Sequence, residues 1–151
     1  LNGGGSSSVV DPIFKLFVDG TLGKFVSRND SRALQVKADP IHNSQTVPII
    51  VIVSEDTVSY GEILAGVLKD LGRAKVVGQT SLGNVEVLHG YNFDDNSQVW
   101  IASETFYSAT SETNFELSGI IPDVEAFAEW DTITFETDPS IKAALGLLGH
   151  Q

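Results

Sequence analysis

The chain contains no cysteine and no methionine. Without thiols there is no disulfide, no thiolate metal site and no cysteine nucleophile, and the redox compartment leaves no mark. Basic side chains are scarce, 9 Lys and Arg against 20 Asp and Glu, for a formal charge of −11. So acidic a surface repels nucleic acid and anionic membranes, which removes nucleic acid from the partners to be considered. No apolar run approaches the ~20 residues of a membrane span, and the first residues lack the basic, apolar and small-residue order of a signal peptide. Neither H-x-x-x-H nor a carboxylate cluster with metal-ligand spacing occurs, so the chemistry to look for uses no metal and no cofactor.

What is present fits one globular domain: 151 residues, 42% hydrophobic and 19% charged. The chain opens on "LNGGGSSS", a glycine-rich loop with no strand before it. A domain rarely starts inside a loop, so the sequence reads as a fragment that a strand, and further domains, precede. Helical spacing of Val9, Val10, Ile13, Phe14, Phe17 and Val18 predicts a first helix, with Gly20 as its stop. Two strands follow, "GKFVSR" and "RALQVKA", joined at Asn29 and Asp30. The β-branched run Val47 to Val53 predicts a central strand buried on both faces. Ile63, Leu64, Val67, Leu68 and Leu71 form a one-sided stripe that Gly72 ends, so residues 59–71 read as an amphipathic helix. Strands are predicted at "AKVVG", "VEVLHGYNF" and "SQVWIASETFYS", the last two joined at Asp94 to Asn96, and a final helix opens at Pro139. Alternating element types make an α/β domain.

Ser59 and Glu62 stand three residues apart immediately before the apolar stripe, the signature of a capping box. Capping boxes far outnumber catalytic serines. A serine there nevertheless presents its hydroxyl at a helix N-terminus, where N–H groups and the helix dipole stabilise developing negative charge. A structural serine and a nucleophile are compatible readings of the same residue.

The wider pattern resembles the C-terminal processing peptidases, or tail-specific proteases, serine peptidases whose fold is related to the Clp protease and crotonase group. Four segments carry the resemblance in order: "NGGGSS", "VSYGEILAGVLKDLGRAKVVGQTSLGN", "GIIPDV" and "DPSIKAALGLL". It implies a Clp/crotonase-like core domain, a mixed sheet flanked by helices, with residues 1–151 as the C-terminal part of the catalytic core. It further implies Ser59 as nucleophile, and the amide of Tyr60 with that of Gly4 or Gly5 as oxyanion donors. Glycine suits that place because the backbone must approach the substrate carbonyl without a Cβ. Polypeptide substrates, upstream domains of the parent protein and an extracytoplasmic location follow from the same resemblance. The surface left bare by missing elements predicts a homo-oligomer.

The sequence departs from that family at the general base. Where the best-known members carry lysine, this chain has Asn84, and an amide cannot take a proton from a serine hydroxyl near neutral pH. Tricorn-type peptidases of the same group use serine, histidine and glutamate, and the position matching their glutamate, three residues before Gly119, is Glu116. A carboxylate there orients an imidazole and stabilises the imidazolium; in that branch the histidine lies upstream of the glycine loop, which places it before Leu1. His42 and His150 read as surface residues. His89, 30 residues beyond Ser59 in a strand-like stretch, is the alternative base. Two functions remain open: a serine endopeptidase acting through an acyl-enzyme, inactive as this fragment, or a catalytically silent relative that binds peptides or scaffolds an assembly, with Asn84 marking a lost base.

Overall fold

The computed structural model describes residues 2–127, 129 and 131–149. Helix α1 (Ser7–Phe17) buries Val10 and Phe14 and leads into the hairpin of β1 (Gly20–Val26) and β2 (Ser31–Val36). Its tight turn is closed by Ser27 N–H donating to the Asp30 carbonyl at 2.8 Å, at the turn residues the sequence marks. β1 pairs on its other side with β6 (Gln98–Ser108), which pairs with β5 (Val87–Asn92), all antiparallel, in the order β2-β1-β6-β5.

A second, parallel sheet orders β3 (Ile50–Val53), β4 (Lys75–Gly78) and β7 (Val124–Glu125). Helix α2 (Tyr60–Asp70) is the crossover between β3 and β4, and α3 (Pro139–Leu147) lies against the same two strands. Both helix ends follow from local chemistry. Gly72, at φ 64°, closes α2 as a Schellman motif, with Arg73 N–H on Leu68 O at 2.9 Å and Gly72 N–H on Lys69 O at 2.8 Å. Asp138 caps α3 by accepting from Ser140 N–H at 2.7 Å, ahead of Pro139 at the first position.

The core fills the space between the antiparallel sheet and α2. Phe25 and Phe106 meet edge to face at 5.2 Å between centroids, Phe115 stands 6.2 Å beyond, and Tyr60 of α2 reaches Phe25 at 6.0 Å. Ile63, Val67 and Leu68 press the buried face of α2 into this cluster. Aromatic side chains of the sheet therefore seat the N-terminal turn of α2, the turn that carries Ser59.

One expectation is corrected. The strand predicted over Val47 to Val53 begins only at Ile50, because Pro48 has no N–H to give a ladder and holds Val47 out of register. It is also an edge strand, not the centre: Ile52 is 46% exposed, while Val76 and Val77 of β4 are fully buried. A β-branched run records that a strand forms. Its burial depends on what pairs with its outer edge, and among the described residues nothing does.

Close packing fixes one position in β1. A Cβ on Gly23 would stand 2.2 Å from the Phe106 ring and 2.5 Å from the Tyr107 carbonyl. Gly23→Ala is expected to cost about 1–3 kcal/mol, the range of overpacked cores, read as a shift of the urea midpoint at unchanged slope.

Candidate active site

Five residues separate β3 from Ser59, and they form a tight turn: Ser54 N–H donates to Thr57 Oγ1 at 3.0 Å and Thr57 N–H to Ser54 O at 2.9 Å. Ser59 then sits at φ 59°, ψ −128°. An ordinary N-cap residue is extended. A serine held at positive φ costs on the order of 1–3 kcal/mol and persists only where its surroundings over-determine it. The surroundings do so. Ser59 N–H donates to Asn84 O at 2.8 Å and to Glu62 Oε2 at 3.2 Å, and the preceding Val58 N–H donates to Asn2 O at 3.0 Å. The carboxylate half of the capping box is thus formed. The hydroxyl of Ser59 lies near the first turn but makes no capping hydrogen bond of good geometry.

Glu62 is fully buried. Besides Ser59 N–H, its Oε1 accepts from Ser81 Oγ at 2.5 Å and Gly83 N–H at 2.7 Å, and its Oε2 from Asn84 N–H at 2.9 Å. The segment 81–84 is thereby fastened to the first turn of α2. Asn84 consequently stands beside Ser59 and lines the same cleft. Both backbone groups of Asn84 are committed, one to Ser59 and one to Glu62.

The glycine loop completes the arrangement. Gly4, at φ 83°, lies so close that a Cβ would stand 2.6 Å from Ser59 Cβ and 3.1 Å from its Oγ, so no other residue fits there. Gly4 N–H is held by Asn2 Oδ1 at 3.1 Å. The N–H groups of Gly5 and of Tyr60 have no hydrogen-bond partner among the described residues. Gly5, Ser59 and Tyr60 all border a cleft of about 590 Å³. The remainder of Tyr60 is structural: burial pushes its phenol up in pKa, and the ring end points toward Arg32, Asp11 and Ser7.

Glu116 is half-buried and does not itself border the cleft; it reaches it by accepting from the N–H of Val85, a lining residue, at 2.8 Å. Loss of solvent raises its pKa most; the Val85 hydrogen bond opposes this, and Glu86 and Glu62 nearby add to the rise. His89 is exposed on β5 with its ring 4.8 Å from Tyr91, outside the cleft lining. His42 is exposed in a turn at φ 46°. His150 lies outside the described residues. No lysine or histidine borders the cleft among the described residues.

Three contributors escape a reading of the sequence. Ser81 donates to Glu62 and accepts from Ile120 N–H at 2.7 Å, tying α2 to the segment that contains Gly119. Asn2 supports both Val58 and Gly4. Arg32 borders the cleft with its guanidinium 4.0 Å over the Phe25 ring and forked onto Glu104, Nη2 to Oε2 at 2.7 Å. Ile120 stands 39 residues from Ser81 and Glu104 72 from Arg32, so no local motif announces those two contacts.

Ser59 thus stands strained at a helix N-terminus, faced by glycine backbone and by two N–H groups without a partner among the described residues, a geometry that suits the stabilisation of an oxyanion. The chain belongs to peptidase family S41, whose model matches residues 1–126. It is 25% identical to a protein of Staphylococcus aureus (strain bovine RF122 / ET3-1) described as a CtpA-like serine protease, over 99% of this chain and 33% of that one. It is 30% identical over 102 residues to carboxyl-terminal-processing peptidase 3, chloroplastic, of Arabidopsis thaliana, covering 67% of this chain and 20% of that one. A solved photosystem II D1 C-terminal processing protease superposes with a TM-score of 0.73 at 25% identity, over 96% of this chain and 36% of that one. The chain spans about a third of the length of the first of these relatives.

Three variants test this geometry. Ser59→Gly relieves the positive φ and is expected to raise stability by up to about 1 kcal/mol, whereas Glu62→Ala strands its buried donors and is expected to cost about 3 kcal/mol or more, both read by chemical denaturation. Glu116→Gln keeps an acceptor for Val85. A carboxyl whose folded pKa lies above its unfolded value penalises the folded state once the pH exceeds the unfolded pKa, and the penalty vanishes below it. The variant is therefore expected to melt higher than the parent at pH 7, with the gap closing as the pH falls through the ordinary carboxylate range.

Proposed function

We propose that residues 1–151 form the nucleophile-bearing C-terminal part of the catalytic core of a serine endopeptidase that cleaves polypeptides through an acyl-enzyme. The observation that carries this reading is the strained Ser59 set against Gly4, with the uncommitted N–H groups of Tyr60 and Gly5 at one cleft. Ser59 Oγ attacks the scissile carbonyl carbon and its proton passes to the base. The carbonyl oxygen, now an oxyanion, is held by the Tyr60 and Gly5 N–H groups. The C–N bond breaks as the base returns the proton to the leaving amine, and water, deprotonated by the same base, hydrolyses the ester.

The base comes from outside this chain. Asn84 cannot serve, and His89 packs on Tyr91 away from the cleft lining. Glu116, with one oxygen on Val85 N–H, takes the role of orienting an imidazole supplied by upstream domains of the parent protein. Those domains also cover the open edge of β3. We infer from the family resemblance that the parent protein works outside the cytoplasm.

A serine-directed covalent probe and an assay on unfolded polypeptide, both with the full-length protein, test the reading. The probe is expected to label Ser59, Ser59→Ala to abolish turnover, and Glu116→Gln to lower it about 10²–10⁴-fold, the scale of a lost orienting carboxylate. Asn84→Ala and His89→Ala are expected to retain activity, and the isolated chain to show none. Full activity in Glu116→Gln with loss in His89→Ala moves the base to His89. Absence of labelling overturns this reading in favour of the alternative that Asn84 raises, a catalytically silent family member that binds peptides or scaffolds an assembly.

A further inference from the structure

The catalytic cleft continues into a free strand edge. β5 is the last strand of the order β2-β1-β6-β5, and among the described residues nothing pairs with its outer side. Its first residues, Val87 and Leu88, border the cleft together with Ser59. The register shows which groups face outward. Phe93 N–H donates to Ser97 O at 2.9 Å across the turn that joins β5 to β6. Tyr91↔Val99 and His89↔Ile101 continue the same register in steps of two, so these are the hydrogen-bonded pairs. The intervening pairs, Leu88↔Ala102, Gly90↔Trp100 and Asn92↔Gln98, are then the non-bonded ones, where side chains approach most closely. Two contacts agree: a Cβ on Gly90 would stand 2.9 Å from the Trp100 ring, and Gln98 Nε2 donates to Asn92 Oδ1 at 2.6 Å. Leu88, Gly90 and Asn92 therefore turn their N–H and C=O groups to the open edge.

Protein edges are normally guarded by lysine, proline or a covering segment. β5 reads VLHGYN, with neither lysine nor proline. Leu88 at 53% and Tyr91 at 50% exposure add apolar surface on both faces. An unguarded edge that starts at the nucleophile has a defined use.

We infer that an extended substrate polypeptide adds to this edge as a fifth strand, hydrogen-bonded to the backbone of Leu88, Gly90 and Asn92, and is thereby drawn past Ser59. The inference rests on the peptidase reading above and names how its substrate is held. Five residues of edge at about 3.3 Å each span about 16 Å, enough to grip four or five substrate residues on one side of the scissile bond. Recognition then runs through main chain, as in other strand additions. It selects extended, unfolded segments over any one sequence, and it excludes proline wherever the substrate N–H must donate to the edge.

The test uses the full-length protein with Ser59→Ala and a blocked, proline-free decapeptide of Ala, Val, Ser and Lys, followed by amide hydrogen exchange. At saturation the Leu88, Gly90 and Asn92 amides are expected to exchange at least tenfold more slowly, while His89 and Tyr91, already bonded to β6, do not change. Peptides N-methylated at residues of one parity are expected to bind about tenfold more weakly, and those of the other parity normally. Binding without slowing at those three amides, equal sensitivity at both parities, or no binding up to millimolar peptide overturns the inference. Labelling of Ser59 by the covalent probe in the full-length protein is independent of β5, so it reports separately on the peptidase reading.

Discussion

The site depends on one buried carboxylate. An ionised glutamate offers about four lone-pair directions, and Glu62 uses all of them, on Ser59 N–H, Ser81 Oγ, Gly83 N–H and Asn84 N–H. No cation pairs with it among the described residues. Dipoles do the work that a counter-charge does elsewhere, aided by the position of Glu62 in the first turn of α2. The arrangement is directional in a way that an ion pair is not. Each donor is a backbone or hydroxyl group with one allowed approach, so fixing the carboxylate fixes the path of residues 81–84, and that path supplies the carbonyl that holds Ser59 at positive φ. Remove the carboxylate and the strain at Ser59 has nothing to oppose it.

Stability and chemistry pull apart around this pin. Ser59 is strained and Glu116 is partly desolvated beside Glu86, and each is unfavourable for the fold taken alone. The aromatic cluster of Phe25, Phe106 and Phe115 under α2, with the Schellman closure at Gly72, provides the stabilisation against which those costs are carried. Residues that a protein keeps despite a local penalty are the ones whose retention calls for a functional reason.

What the sequence discloses follows the range of the interaction. The turn at Asn29 and Asp30, the stop at Gly72, the Asp138-Pro139 start and the pairing of Ser59 with Glu62 all act within a few residues, and all are legible. The S-x-x-E pattern, however, cannot distinguish an extended cap from a serine at φ 59°, because the difference is imposed by Asn84 and Asn2 from elsewhere in the chain. The position of β3 at an edge, the division of strands into a parallel and an antiparallel sheet, and the bridging by Ser81 are likewise set by distant partners. The roles expected of Ser59 and Glu116 rest on resemblance to a family and not on any local pattern. Nothing in the residues around Glu116 foretells that Val85 will meet it.

The asparagine at position 84 shows why the fold is silent about the base. Every hydrogen bond that holds this residue runs through its main chain, the N–H to Glu62 and the carbonyl from Ser59. Its side chain is exposed to the cleft and makes no hydrogen bond among the described residues. Any residue with ordinary backbone preferences satisfies the frame equally well, a lysine as readily as an asparagine. The turn at Ser59, the glycine loop and the buried carboxylate are therefore indifferent to which side chain stands at position 84. A change of side chain at this position costs the structure nothing, so the backbone frame around Ser59 stays in place whichever residue stands at 84, and Glu116 meets that frame through the N–H of the next residue, Val85.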